Sequence, residues 1–96
     1  MKKSRYVIVR ARSAGVFAGE LVSKKGSEVV LKDARRLWYW SGAASLSQLA
    51  MEGVKNPSGC KFPCKVDLVE LTEAFEILDV RSVARESIEK VPVWQK

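Results

Sequence analysis

Histidine is absent from this chain of 96 residues, and cysteine occurs only at Cys60 and Cys64. Without histidine the chain lacks the commonest general base, the commonest metal ligand and the base of every Ser-His or Cys-His nucleophile pair. Two cysteines alone do not complete a structural zinc site, which takes four ligands. These absences argue against an enzyme and predict neither metal nor cofactor. We expect the two thiols to be reduced and unpaired, as in an intracellular protein.

Long apolar runs are missing as well. No stretch approaches the ~20 apolar residues that a membrane-spanning helix needs. The basic start at residues 1–5 is followed by only four apolar residues, whereas a signal peptide has roughly 7–15 at that point. The sequence therefore predicts a cytoplasmic protein with no membrane partner.

Acidic residues are scarce in the first part of the chain. Residues 1–40 carry ten lysines and arginines against three acids, while residues 41–96 carry seven against eight. The whole net charge of +6 therefore lies in the N-terminal part. Such asymmetry suggests an anionic partner, such as phosphate, a nucleotide, a nucleic acid or an acidic protein. The alternative is a set of solvated strand edges, where lysine and arginine discourage pairing between sheets.

The pattern of apolar residues predicts one α+β domain over residues 1–96. Five short strands are predicted at 5–12, 16–22, 28–32, 66–71 and 74–78, the first of them buried on both faces. We expect a small antiparallel sheet or a partly closed barrel, with either a bulge at Gly19 or a close approach there by another backbone or a ligand. Residues 33–40 begin with either a strand bend or a helical turn and end in a stretch of strand composition.

Two helices are predicted, a short internal one and a C-terminal amphipathic one. Ser45 and Gln48 fit a capping box that opens a two-turn helix, and Gly53 lies where that helix would end. The second helix has an apolar face at positions 80, 83, 84, 87, 88 and 91. Asp79 is its expected N-cap. A proline ends it and leaves Trp94 free to dock on a neighbouring surface.

Residues 35–45 form the most unusual stretch, because they hold three aromatic residues, two arginines and two serines. Aromatic faces stack on bases and arginine binds phosphate with a two-pronged fork, so the stretch suggests a nucleotide site. The small residues before the predicted helix also fit a phosphate-binding turn, although a Walker lysine is missing. The alternative is that Trp38 and Trp40 face one side of a strand and form core or subunit contacts, with Tyr39 on the other side.

Two further arginines, Arg10 and Arg12, are two apart on the first strand and should share a face, spaced for one pyrophosphate or two backbone phosphates. A solvated charged edge is the alternative. In the predicted site, arginines hold phosphate, aromatic residues stack on base or ribose, and serine and glutamine supply hydrogen bonds. The candidate ligand-binding residues are Arg10, Arg12, Phe17, Arg35, Arg36, Trp38, Tyr39, Trp40, Ser41, Ser45 and Gln48.

Acids cluster late in the sequence, at Glu70, Glu73, Glu76 and Asp79. A pair of catalytic carboxylates would have to meet across a cleft, and the sequence shows no sign of that. A solvated face is the simpler interpretation. The same acids could instead meet the basic N-terminal part of another copy, which would favour a homo-oligomer.

Several blocks of the sequence resemble a family of short phage and prophage proteins. The blocks are residues 6–10, 13–19, 34–53, 60–63 and 91–94, so that the resemblance extends over nearly the whole chain. It carries no assigned activity. What it implies is a phage accessory protein that is expressed inside an infected bacterium.

Among such phage proteins, oligomeric sponges that sequester cyclic nucleotide immune signals are a recurring type, and they use arginines and aromatic residues in pockets between subunits. By this analogy of type and size, we expect a non-enzymatic counter-defence protein that binds a nucleotide-derived signal without cleaving it. A small basic nucleic-acid-binding protein is one alternative. A protein-interaction inhibitor of a host defence protein is another.

Overall fold

The computed structural model describes residues 5–95 of the chain. Within them lie β1 (Tyr6–Ala11), β2 (Gly15–Lys25), β3 (Glu28–Arg36), α1 (Leu46–Glu52), β4 (Lys65–Leu71), β5 (Ala74–Asp79) and α2 (Ser82–Lys90). A short 3-10 turn, Pro57–Gly59, lies between α1 and β4. The predicted α+β class is confirmed. No helix in the described part of the chain is long and apolar enough to span a membrane.

The five strands form one antiparallel sheet in the order β4-β3-β2-β1-β5. β4 and β5 lie at opposite edges, although Thr72 and Glu73 alone connect them in the chain. The sheet must curl for this connection to be made, and two of its turns meet where the Ala74 amide donates to the Ser27 carbonyl (3.0 Å). β4 and β5 do not pair with each other within residues 5–95, so the curled sheet is not a closed barrel.

The curl gives the molecule two hydrophobic cores, one on each face of the sheet. β1 lies between β2 and β5 and is buried on both faces, as predicted. The first core, which we call the sheet core, is made of strand residues alone: Val7, Val9, Ala11, Phe17, Val29, Leu31, Ala34 and Leu71. The helix core, where α1, α2 and the loops pack on the other face, contains Tyr6, Ile8, Ala18, Leu37, Leu49, Ala50, Val54, Cys60, Phe62, Ile88 and Val91.

Irregular backbone in β3 resolves the ambiguity at residues 33–40. Asp33 has a φ of 51°, and the pairing between β2 and β3 shifts beside it, at Gly19. A Cβ on Gly19 would lie 3.0 Å from the backbone of β3, so glycine permits the close approach that the sequence predicted. β3 continues through this bulge to Arg36 without a helical turn. Residues 37–40 then leave the sheet, so their strand composition does not produce a strand.

The predicted cap of α1 is confirmed. The Ser45 hydroxyl accepts a hydrogen bond from the Gln48 amide (3.1 Å), and the Gln48 side chain accepts one from the Ala44 amide (2.8 Å). The helix ends at Gly53, which has a φ of 78°. A Cβ at that position would lie 2.4 Å from the Ser87 Cβ, so glycine is what lets the end of α1 approach α2 this closely.

The prediction for α2 was wrong in two respects. Arg81 occupies the N-cap position, while Asp79 is the last residue of β5 and pairs with Arg5 at 2.7 Å. Ala84 and Ile88 are the buried residues of the helix, whereas Val83 is exposed. Because β5 stays paired with β1 as far as Asp79, the helix begins later than predicted. Its buried face is also narrower than the apolar pattern indicated.

Arg35 joins the sheet, a loop and α2. The residue is 3% exposed, and its guanidinium donates to the carbonyls of Phe62 (3.1 Å), Pro63 (3.0 Å) and Ile88 (3.0 Å). A planar fork with five N–H groups can serve three carbonyls at once, which an ammonium group cannot do in the same geometry. Burial lowers the pKa of the Arg35 guanidinium.

We expect Arg35→Ala to lower the free energy of unfolding by about 3 kcal/mol, because it leaves buried carbonyls without donors. Arg35→Lys should recover part of this loss. Arg36→Ala, at the neighbouring exposed position, is the control and should cost below about 1 kcal/mol. Urea unfolding followed by tryptophan fluorescence would measure all three, and equal losses for the Arg35 and Arg36 variants would contradict the structural role of Arg35.

Tyr6 lies in the helix core beneath Arg85, whose guanidinium carbon is 4.5 Å from the Tyr6 ring centroid. Burial, reinforced by the negative charge of Glu89, raises the pKa of Tyr6 to about 12. A tyrosine in an unfolded chain ionises near pH ~10. Since the unfolded chain gives up its proton first, the stability that Tyr6 contributes is complete below pH ~10 and is lost as the pH rises toward the pKa of the folded state.

Raising the pH from ~10 to ~12 should therefore reduce the free energy of unfolding by on the order of 2–3 kcal/mol through Tyr6. Tyr6→Phe, which cannot ionise, should show a smaller decrease over the same range. Tyr39→Phe is the matched control, because Tyr39 is exposed, and it should retain the decrease. Urea unfolding at a series of pH values checks this, and parallel curves for all three proteins would rule out the contribution of Tyr6.

Candidate functional site

The candidate site forms where the chain leaves the sheet after Arg36. The Leu37 amide donates to the Val16 carbonyl (2.8 Å), and the Leu37 side chain is buried in the helix core. Between the segment that follows and the turn from β1 to β2 lies a depression of about 440 Å³. We call this depression the tryptophan pocket. It is lined by Ser13, Ala14, Gly15, Val16, Arg36, Leu37, Trp38 and Trp40.

Arg36 supplies the positive charge of the tryptophan pocket. Its guanidinium carbon lies 4.4 Å from the Phe17 ring centroid, and Nη1 donates to the Ala14 carbonyl. Among the described residues, Ala14 provides the one acceptor for this side chain, and a guanidinium has five N–H donors. The two contacts hold the guanidinium in place while the other donors stay available for a ligand such as phosphate.

The two tryptophans of the pocket differ in burial. Trp38 is 58% exposed, whereas Trp40 is half-buried and packs against the helix core. The sequence left open whether this pair belongs to the core or to a site. Trp40 does both, because it contacts the core and also lines the pocket, while Trp38 belongs to the surface.

Trp38 also takes part in a second feature, which we call the tryptophan stack: Trp38, Trp94 and Lys61. The two indole rings stack with their centroids 5.1 Å apart and an angle of 19° between their planes. The Lys61 ammonium lies 5.2 Å from the Trp38 centroid and 5.6 Å from the Trp94 centroid. The tail that carries Trp94 is held by its amide, which donates to the Phe62 carbonyl (3.0 Å).

Arg10 and Arg12 do not line the tryptophan pocket. Arg10 lies in β1 beside β5, where it pairs with Glu76 (3.3 Å) and its guanidinium carbon lies 4.9 Å from the Phe75 ring centroid. Arg12 follows the end of β1, and its amide donates to the Glu73 carbonyl (3.0 Å). The register between β1 and β5 shifts after Arg10, so the regular alternation behind the predicted shared face ends there.

Arg35 and Phe17 are in the interior rather than at the pocket surface. Arg35 donates to backbone carbonyls in the helix core, and Phe17 is 4% exposed in the sheet core. The Phe17 ring packs against the guanidinium of Arg36. Neither residue lines the tryptophan pocket.

The remaining candidates serve local structure. Ser45 and Gln48 cap α1, and the Ser41 hydroxyl accepts a hydrogen bond from the Asn56 side chain (3.2 Å). Tyr39 is exposed, and its carbonyl accepts a hydrogen bond from the Lys61 amide (2.7 Å). Of the predicted set, the structure thus brings Arg36, Trp38 and Trp40 together in one pocket.

The two cysteines are free, as predicted, with Cys60 buried and Cys64 exposed. The Cys60 sulfur accepts a hydrogen bond from the Ser41 amide (3.4 Å), which ties the segment after the pocket to the helix core. Within residues 5–95, no group of three or more cysteine, aspartate and glutamate side chains is placed to hold a metal ion.

Comparison with models of protein families shows which family the chain belongs to. Residues 4–88 match the family described as a domain of unknown function, DUF6948. The chain belongs to the DUF6948 family. No curated protein and no solved structure matches it. The DUF6948 match ends inside α2, so the tail that carries Trp94 follows the matched residues.

The sequence did not indicate two parts of the site in this DUF6948 domain. One is Lys61 in the tryptophan stack, and the other is the turn from β1 to β2, which lines the tryptophan pocket. Lys61 lies in a loop well after the aromatic stretch, and a lone lysine gives no local signal of aromatic neighbours. Trp94 was expected to dock on a neighbouring surface. It docks on Trp38 of its own chain, and its position after a helix-ending proline does not indicate which residue it contacts.

We expect Trp94→Ala to abolish the paired positive and negative far-UV circular dichroism bands that two stacked indoles produce. The free energy of unfolding should fall by only about 0.5–1.5 kcal/mol, because the contact lies at the surface. Val93→Ala is the control, since Val93 is the exposed neighbour in the same tail. A spectrum unchanged by Trp94→Ala would show that the rings do not stack in solution.

Proposed function

We propose that this protein binds a nucleotide-derived anionic ligand in the tryptophan pocket and sequesters it without chemical change. The observation that supports this most directly is the convergence of one guanidinium and two indole rings on a single depression of about 440 Å³. Small-molecule pockets have volumes of roughly 300–1,000 Å³. The depression is therefore large enough for one nucleotide.

Arg36 is the proposed phosphate-binding residue. Its side chain is held by the Phe17 ring and the Ala14 carbonyl, so little side-chain freedom is lost when a ligand binds. None of the salt bridges in the described part of the chain involves Arg36. Its charge is therefore available to pair with a phosphate in a two-pronged geometry.

Trp38 and Trp40 are the proposed base-binding residues. Indole rings stack on any base, and each stack contributes ~1–3 kcal/mol by alanine substitution. Trp40 is anchored in the helix core, which fixes one wall of the pocket. Trp38 is exposed and lies beside Arg36 in the pocket lining, so a base on Trp38 would keep its phosphate near the guanidinium.

Sequestration fits the lining better than catalysis does. Among the described residues that line the pocket there is no carboxylate, lysine or cysteine, and its one side-chain hydroxyl, that of Ser13, has no base in this lining to activate it. Together with the resemblance to phage and prophage proteins, this leads us to propose a counter-defence role, in which a host immune signal is held away from its effector. The cytoplasm of an infected bacterium is the compartment that this role requires.

Isothermal titration with a panel of single-base ligands, namely cyclic mononucleotides and ADP-ribose isomers, tests the proposal. We expect at least one to bind, and Arg36→Ala to weaken it by roughly 10- to 150-fold, as expected for charge-assisted hydrogen bonds. Trp38→Ala should weaken it by roughly 5- to 150-fold. Arg10→Ala, which removes an arginine engaged by Glu76 in β5, is the matched control and should leave the affinity unchanged.

Two outcomes would overturn the proposal. The first is no heat with any ligand at protein concentrations well above micromolar. The second is binding that Arg36→Ala does not alter. If a long single-stranded nucleic acid binds instead, with an affinity that falls steeply with salt, the protein belongs to the alternative class of basic nucleic-acid binders. Self-association of this chain stays a prediction.

A further inference from the structure

We propose that the tryptophan stack is a second subsite and that the preferred ligand is a dinucleotide with two bases. This inference rests on the proposed function, since it extends the ligand from the tryptophan pocket onto the adjoining surface. Trp38 belongs to both features, because it lines the pocket and also stacks on Trp94. A nucleotide held by Arg36 and Trp38 therefore lies next to Trp94 and Lys61.

Trp94 offers a stacking surface for the second base. One face of its ring covers Trp38 at 5.1 Å between centroids, and the residue is 39% exposed. The tail is fixed at this point by the hydrogen bond from the Trp94 amide to the Phe62 carbonyl and by a bridge between Val93 and Phe62. The ring is thus held in position before a ligand arrives, which reduces the entropy lost on binding.

Lys61 supplies the charge for the second phosphate. Its ammonium is 5.2 Å and 5.6 Å from the two ring centroids, which are themselves 5.1 Å apart, so it lies beside the stack rather than between the rings. The side chain is exposed and takes part in none of the salt bridges found within residues 5–95. Trp38 thus has Arg36 on its pocket side and Lys61 beside the stack, one cation for each phosphate.

The surroundings disfavour a longer ligand at the pocket end. On the far side of the turn at Ser13 and Ala14, the adjoining depression is lined by Glu70 and Glu73. Carboxylates there would repel a phosphate chain that continued past the tryptophan pocket. The favourable surface consists of two pairs of one cation and one ring: Arg36 and Trp38, which both line the pocket, and Lys61 and Trp94 in the tryptophan stack. A ligand with two bases and two phosphates uses both pairs and avoids the acidic depression.

The test compares a cyclic mononucleotide, a linear dinucleotide, a cyclic dinucleotide and a tetranucleotide by isothermal titration. At least one dinucleotide should bind roughly 5- to 150-fold more tightly than the mononucleotide, as expected for one added stack. Trp94→Ala should remove most of that gain and leave mononucleotide binding unchanged, and Lys61→Gln should reduce it. Arg36→Ala should weaken every ligand. Lys55→Gln, at another exposed loop lysine, is the matched control.

The outcomes separate the two proposals. Equal affinities for the mononucleotide and both dinucleotides, with no effect of Trp94→Ala, would overturn the second subsite and leave the pocket intact. An affinity that keeps rising from dinucleotide to tetranucleotide would overturn the preference for two nucleotides and indicate single-stranded nucleic acid. No binding of any of the four, or of the ADP-ribose isomers, would remove the proposed function itself.

Discussion

The buried guanidinium of Arg35 is the contact on which both the fold and the candidate site depend. It donates to the Phe62 carbonyl, and the same carbonyl accepts the amide of Trp94. A residue in the middle of the helix core therefore fixes the loop that carries Lys61 and, through that loop, the C-terminal tail. An arginine is costly to bury unless its donors are satisfied, and here three carbonyls satisfy them. The tryptophan stack is thus anchored in the interior, although its rings are at the surface.

Arg35 and Arg36 have opposite roles because adjacent residues of a strand point to opposite faces. Arg35 faces the helix core, and Arg36 faces Phe17 at the rim of the sheet core. The sequence indicated two equivalent arginines, since composition does not tell which of a pair points inward. The bulge at Asp33 determines which of the two arginines faces the helix core, because a residue with positive φ shifts the register of β3 against β2. Local patterns left open a strand bend or a helical turn in this stretch, and the face that each arginine presents depends on the neighbouring strand.

Features set by residues close in the chain were predicted from the sequence, whereas features set by contacts between distant residues were not. The strands, the close backbone approach at Gly19 and the cap of α1 were predictable, because alternation, glycine and capping chemistry each act within a few residues of the chain. The start of α2 was predicted wrongly because Asp79 is taken up by pairing with β1, which local pattern does not show. The stack of Trp38 on Trp94 and the approach of Lys61 join residues far apart in the chain, so no periodicity indicates them. The arginine and tryptophans of the pocket were predicted as a local cluster, and the turn that completes it was not.

The exposure of two of three tryptophans is costly in so small a domain, because burial of aromatic side chains is a major source of stability for a chain of this size. Trp40 is half-buried against the helix core, while Trp38 and Trp94 leave 58% and 39% of their surface in solvent. Stacking on each other and contact with Lys61 recover part of that cost. Trp38 is also the residue through which a ligand in the pocket would contact the tail. Trp38 thus joins the tryptophan pocket to the C-terminal tail, because one residue lines the depression and stacks on Trp94.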